Sequence, residues 1–165
     1  MSIVGDRPPT RRPASATDGH GAMAIAHYTG LLCQEIIATP ASGTPLSTVF
    51  FGGGTPSLLA VTQLEQILTT LDRHFGIDKR AEISMEMDPD TFTPEQLQGY
   101  VDLGVNRVSL GVQSFDLEQL RACGRTHTPA DITRAMDWLR QVGVKTISLD
   151  LISGLPHQTL PRWQS

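Results

Sequence analysis

VFFGGGTPSLL, residues 49–59, frames the reading of the whole chain. A short apolar run with two adjacent phenylalanines reads as a buried strand, and it ends on three consecutive glycines followed by Thr55 and Pro56. A glycine has no Cβ, so glycines at a strand end let backbone N–H and C=O groups come within hydrogen-bond distance of a ligand. The run is not a phosphate loop, because no GK[ST] follows it, and it is not a GxGxxG fingerprint. Taken alone it also fits a tight strand-to-helix turn. What decides between the two is what the rest of the chain places beside it.

Upstream, residues 22–39 carry Ile25, Tyr28, Leu32 and Ile36 at helical spacing, and Pro40 and Gly43 then break the chain. Downstream, residues 61–75 put Leu64, Ile67, Leu68 and Leu71 on one helical face and stop at Gly76. AEISMEM, residues 81–87, alternates strictly and reads as a strand. The helix after it is capped by Thr93, with Pro94 in its first turn and Gln96 completing a capping box, and it ends at Gly104. NRVSLGVQ (106–113) is the third strand. A short helix over about 116–123 follows, then a longer one capped by Thr128 and ending at Gly143. KTISLDLI (145–152) is the fourth strand, and GLPHQTLPRWQS opens a further helix.

Strands and helices alternate throughout, which predicts right-handed crossovers and a parallel sheet. Successive side chains on a strand point to opposite faces. Ile83, Met85 and Met87 oppose Ser84, Glu86 and Asp88. Val108, Leu110 and Val112 oppose Ser109, Gly111 and Gln113. Ile147, Leu149 and Leu151 oppose Ser148 and Asp150. One face is therefore apolar and belongs under the helices, while the other is small and polar toward the carboxyl ends. A closed eight-stranded barrel fills its interior with branched apolar side chains. The expected fold class is instead α/β, an incomplete parallel (β/α) partial TIM-type barrel of about four strands, helices outside and a wet lumen inside.

Composition narrows the function. With 13 basic and 17 acidic residues the net charge is −4, which argues against a general nucleic-acid or anionic-membrane binder. No apolar run approaches the roughly 20 residues of a membrane span. Cys33 and Cys123 are the only cysteines, which suits a reducing, cytoplasmic setting better than a disulfide framework. Residues 1–22, rich in Pro, Arg, Ser and Thr, read as a flexible segment ahead of a single domain over 23–165.

The chemistry-bearing residues fall at the strand ends. Glu86 can accept hydrogen bonds from a ribose diol or an ammonium group. Asp88, just before Pro89, reads as a turn residue. Gln113 offers an amide to a neutral polar edge, and the planar fork of Arg125 suits a carboxylate. Asp150, inside an apolar strand, needs a partner because an unpaired buried acid is costly. The residues alone reach a polar lumen with a glycine-lined ligand site.

Together, VFFGGGTPSLL, EISMEMDPDTF, GVNRVSLGVQSFD, GRTHT and SLDLISGLPHQT resemble, in order and spacing, the radical S-adenosylmethionine (SAM) proteins of the oxygen-independent coproporphyrinogen III oxidase and heme chaperone family. The likeness runs from about residue 24 to the end and is strongest to the heme chaperone branch of photosynthetic bacteria. It implies that Gly53, Gly54 and Thr55 line the methionine end of S-adenosylmethionine, and that Glu86, Gln113, Arg125 and Asp150 hold its amino, carboxylate and ribose groups. It also implies heme or porphyrinogen as the substrate or cargo, with heme-accepting proteins as partners.

The chain departs from that family in one respect. Family members carry a CxxxCxxC loop that binds a [4Fe–4S] cluster, and this sequence has no such motif; two distant thiols do not replace it. SIVGDR (2–7) is similar to the stretch just after the cluster loop in the photosynthetic branch, so the expectation is a fragment or a misplaced start. The chain as given should then be catalytically inactive, and it should aggregate or fold marginally because its outer strands lack neighbours. Three functions stand open: heme delivery, oxidative decarboxylation of coproporphyrinogen III, and a vestigial inactive product. His20, His27, His74, His127 and His157 are heme-ligand candidates by chemistry alone, with His127 and His157 inside matched motifs.

Overall fold

The computed structural model describes residues 19–41 and 43–164. The mobile segment expected over 1–22 lies outside the described residues apart from its last four, which already belong to helix α1 (Gly19–Ala38). The elements that follow are β1 (Leu46–Phe51), a short 3-10 turn (Pro56–Leu58), α2 (Val61–Phe75), β2 (Ile77–Met87), α3 (Pro94–Asp102), β3 (Arg107–Gln113), α4 (Leu117–Ala122), α5 (Pro129–Gln141), β4 (Thr146–Leu151) and α6 (Leu160–Gln164). The four strands form one sheet in the order β1-β2-β3-β4, and every pairing is parallel. The expected partial barrel of parallel strands with outer helices is the fold observed.

The period-two pattern sets the core. Ile83, Met85, Met87, Val108, Leu110 and Val112 are all buried on one face, where Leu64 and Leu68 of α2, Leu97 and Tyr100 of α3, and Ile132, Ala135 and Leu139 of α5 pack on them. A smaller cluster joins Cys33 and Ile36 of α1 to Leu59 and to Ile67 of α2. Two sequence expectations shift here. The buried stripe of α1 runs through Thr29, Cys33 and Ile36, and Tyr28 is exposed. An apolar spacing cannot choose between faces on a helix that is apolar nearly all round. Strand β2 begins at Ile77, four residues earlier than its alternation suggests, because Leu46 pairs with Ile77 ahead of a register shift between Leu46 and Thr48.

Helix ends follow local chemistry. Thr128 Oγ1 accepts from Asp131 N–H, and Asp131 Oδ2 accepts from Thr128 N–H at 2.8 Å, so the start of α5 is reciprocally capped. Asp116 Oδ1 accepts from the N–H groups of Glu118 and Gln119 at the start of α4. On α3 only half of the expected capping box forms. Thr93 Oγ1 accepts from Gln96 N–H, but the Gln96 amide is drawn away. Its Nε2 donates to Ser57 O, Leu59 O and Tyr100 Oη, and Tyr100 Oη itself lies 2.5 Å from Leu59 O. The chain just after the glycine run is thereby pinned to α3.

Candidate functional site

The register places the lumen-side residues in ranks across the sheet. Glu86 is level with Ser109, and Ser109 with Ser148. Two residues further along each strand come Asp88, Gly111 and Asp150. All of these except Ser148 border a cavity of about 260 Å³ at the carboxyl ends of the strands, lined also by Gly54, Thr55, Gln113 and Arg125. Of the seven residues singled out from sequence, Gly54, Thr55, Glu86, Gln113, Arg125 and Asp150 thus share one space. Parallel α/β folds place ligands at this end of the sheet.

Gly53 sits differently. Its N–H donates to Glu86 Oε2 at 3.0 Å, and it borders a second, apolar cavity of about 610 Å³ between α1 and β1. Backbone conformation favours glycine at two of the three positions, and the first packs against an aromatic ring. A Cβ on Gly52 would lie 2.3 Å from the Phe50 ring, and Gly53 and Gly54 have φ of +79° and +61°, a region that side chains disfavour. The run is therefore a constrained turn that also delivers backbone to the cavity rim.

Each polar group has a defined setting. Asp150 is exposed on the lumen face and accepts from Ser109 Oγ at 2.6 Å, so the burial penalty expected for it does not arise. Gln113 is buried with φ +63°, an uncommon backbone for a non-glycine residue, and its carbonyl accepts from Ile152 N–H at 3.0 Å. Arg125 Nη1 donates to both oxygens of Asp88, at 2.9 and 3.0 Å. Asp88 does make the expected turn, since its carbonyl accepts from Thr91 Oγ1 at 2.8 Å, but its side chain also belongs to the cavity. Burial raises the Asp88 carboxyl above its ordinary range, with Arg125 and His127 opposing that rise. Asp88 is the site residue that the sequence reading missed. The available signal was its place one period beyond Glu86 on the lumen face.

The histidines do not gather there. His127 is 2% exposed with Nε2 3.1 Å from Val112 O, so its ring is held in the core and not presented to a ligand. His74 Nε2 lies 2.7 Å from Thr39 O at the far end of α1. His27 and His157 are exposed, and the side chain of His20 is outside the described residues.

A cavity lined by Glu86, Asp88 and Asp150 against one guanidinium is electronegative, yet it keeps one planar cation able to take a carboxylate. That suits a ligand with cationic centres and one carboxylate. The model of the radical SAM superfamily matches residues 34–164. The chain belongs to the radical SAM superfamily. Heme chaperone HemW of Synechocystis sp. is 50% identical over 141 residues, covering 86% of this chain and 34% of that protein. Oxygen-independent coproporphyrinogen III oxidase of Bradyrhizobium diazoefficiens is 40% identical over 139 residues, covering 82% and 31%. Among solved structures, the coproporphyrinogen III oxidase HemN of Escherichia coli superposes with a TM-score of 0.80 at 33% identity, over 86% of this chain and 33% of that one. The chain spans about a third of the length of the curated relatives it matches.

The superfamily implies S-adenosylmethionine and a [4Fe–4S] cluster. The strand-end cavity fits the first, since its carboxylates, amide and guanidinium complement a sulfonium amino acid. The cluster is a different matter. Cys33 is buried between α1 and α2, accepting from Thr70 Oγ1 at 3.5 Å, and Cys123 caps α4 with Sγ 3.2 Å from Leu120 O. Among the described residues no group of three metal-ligating side chains exists, so this chain's residues do not fit a cluster. No helix of the described residues is long and apolar enough to cross a membrane.

Proposed function

We propose that this chain is part of a heme chaperone of the radical SAM superfamily, which binds heme and delivers it to acceptor proteins. A comparison within one organism carries this reading. The HemW heme chaperone of Synechocystis sp. is 50% identical over 141 residues, whereas the oxygen-independent coproporphyrinogen III oxidase of the same organism is 36% identical over 116. The strand-end cavity would hold S-adenosylmethionine. Gly54 and Thr55 take its methionine end, with Gly53 beside them holding Glu86 through its N–H, while Glu86, Gln113, Arg125 and Asp150 take its amino, carboxylate and ribose groups. The free state of Cys33 and Cys123 supports a reducing, cytoplasmic setting.

The second reading is an oxygen-independent coproporphyrinogen III oxidase, supported by the 0.80 TM-score to that enzyme from Escherichia coli. Heme titration followed by absorbance, run beside product analysis with coproporphyrinogen III on the full-length gene product with its cluster in place, separates the two. The chaperone reading expects saturable heme binding and no decarboxylated product. Conversion of propionate side chains to vinyl groups without heme binding would favour the oxidase.

A further inference from the structure

Asp88 and Gly111 have no part in the ligand assignments above, yet both line the cavity. Arg125 comes from the loop after α4, so a guanidinium on a flexible side chain has to be held if it is to meet a ligand carboxylate at a fixed place. The observed holder is Asp88. Both of its oxygens take the same nitrogen, Nη1. Nη2 and Nε, the other edge of the fork, are left for a second planar anion.

Gly111 makes this arrangement sterically feasible. A Cβ built there would lie 2.8 Å from Asp88 Oδ1 and 3.0 Å from Gln113 Nε2. The backbone of Gly111 lies outside the positive-φ region, so conformation alone does not demand glycine there. What demands it is the space taken by one carboxylate and one amide, both of which border the cavity. Two side chains from two different strand ends are thus seated over a single missing methyl group.

We propose that Asp88, seated in the notch left by Gly111, is a positioning residue that fixes the Arg125 guanidinium for the carboxylate of an amino-acid-bearing nucleoside. This rests on the S-adenosylmethionine reading of the cavity. The pair is partly exposed and spans two loops at the rim of the cavity, and burial pushes the Asp88 carboxyl up even with Arg125 beside it. A merely structural ion pair would lower stability when broken. A positioning residue should lower affinity for one part of the ligand and leave stability alone.

The test is equilibrium dialysis of the 165-residue chain with two probes, S-adenosylmethionine and 5′-methylthioadenosine, which lacks the amino-acid end. Asp88→Asn keeps the shape and removes the charge. It should weaken S-adenosylmethionine about tenfold, the scale of a lost charge-assisted hydrogen bond, and leave methylthioadenosine unchanged. Thermal melting should not fall. Gly111→Ala, which crowds Asp88 and Gln113 together, should weaken S-adenosylmethionine at least as much, and Asp88→Asn should add nothing in an Arg125→Ala background. Equal weakening of both probes, or an unchanged S-adenosylmethionine affinity in Asp88→Asn with binding intact in the parent chain, overturns the inference. Failure of the parent chain to bind S-adenosylmethionine overturns the site reading and this inference with it.

Discussion

Strands β3 and β4 carry nearly the same pattern, yet they end in opposite situations. In β3, Val108, Leu110 and Val112 are all 0% exposed. In β4, Ile147 is partly buried, but Leu149 is 41% and Leu151 46% exposed. Alternation fixes which face of a strand is apolar, but what covers that face depends on neighbours. β3 lies between β2 and β4 and under α5, whereas no described strand pairs with the outer edge of β4. β1, the opposite edge, differs: Val49, level with Ile83, is buried on the apolar face, while Phe50, level with Ser84 on the lumen face, is 63% exposed. The site spans this contrast, because Glu86, Asp88, Gly111 and Gln113 come from the covered middle strands and their ends, and Asp150 comes from the edge strand.

Breaking the middle should therefore cost far more than breaking the edge. Leu110→Ala should destabilise by about 2–5 kcal/mol, the usual range for a buried leucine, while Leu149→Ala should cost less than about 1 kcal/mol. Urea unfolding of both variants measures the gap, and equal losses would mean that the two strands are covered alike.

Tyr100 tests the covered half through pH. It is fully buried beneath the turn that follows the glycine run, and burial pushes its hydroxyl pKa up to about 12, above the ordinary tyrosine value of about 10. The unfolded chain loses that proton first, so stability is intact below about pH 10 and falls as pH rises toward 12. The loss should be on the order of 2–3 kcal/mol. Tyr100→Phe should flatten that alkaline decline, although it also leaves the carbonyls of Ser57 and Leu59 with one fewer partner. A wild-type profile flat between pH 10 and 12 would contradict the assignment.

The smallest effect on folding is expected at the edge. Leu149→Lys should change stability by no more than about 0.5 kcal/mol, yet it should reduce self-association, because an exposed apolar edge strand is a template for pairing. Light scattering against concentration reads this out.

Much of the molecule was legible because its signals are local. Glycines, prolines and capping threonines mark the ends of α2, α3 and α5, and period two separates Glu86, Ser109 and Asp150 from the core. What was missed depended on partners distant in sequence. Gln96 left its capping box for carbonyls 37 and 39 residues away. Asp88 looked like a turn residue because its partner Arg125 lies 37 positions on. His127 looked available because nothing near it in sequence shows that it packs beneath Val112. Asp150 looked costly because the openness of β4 cannot be seen from its own residues.

The central claim is that the ends of four parallel strands form one receptor for a sulfonium amino acid. Amide chemical shifts followed by NMR during titration with S-adenosylmethionine test it most directly. The account predicts saturable changes concentrated at Gly54, Thr55, Glu86, Gly111, Gln113 and Asp150, with little at α1. Changes centred instead on the apolar cavity between α1 and β1, or scattered without saturation, would contradict it.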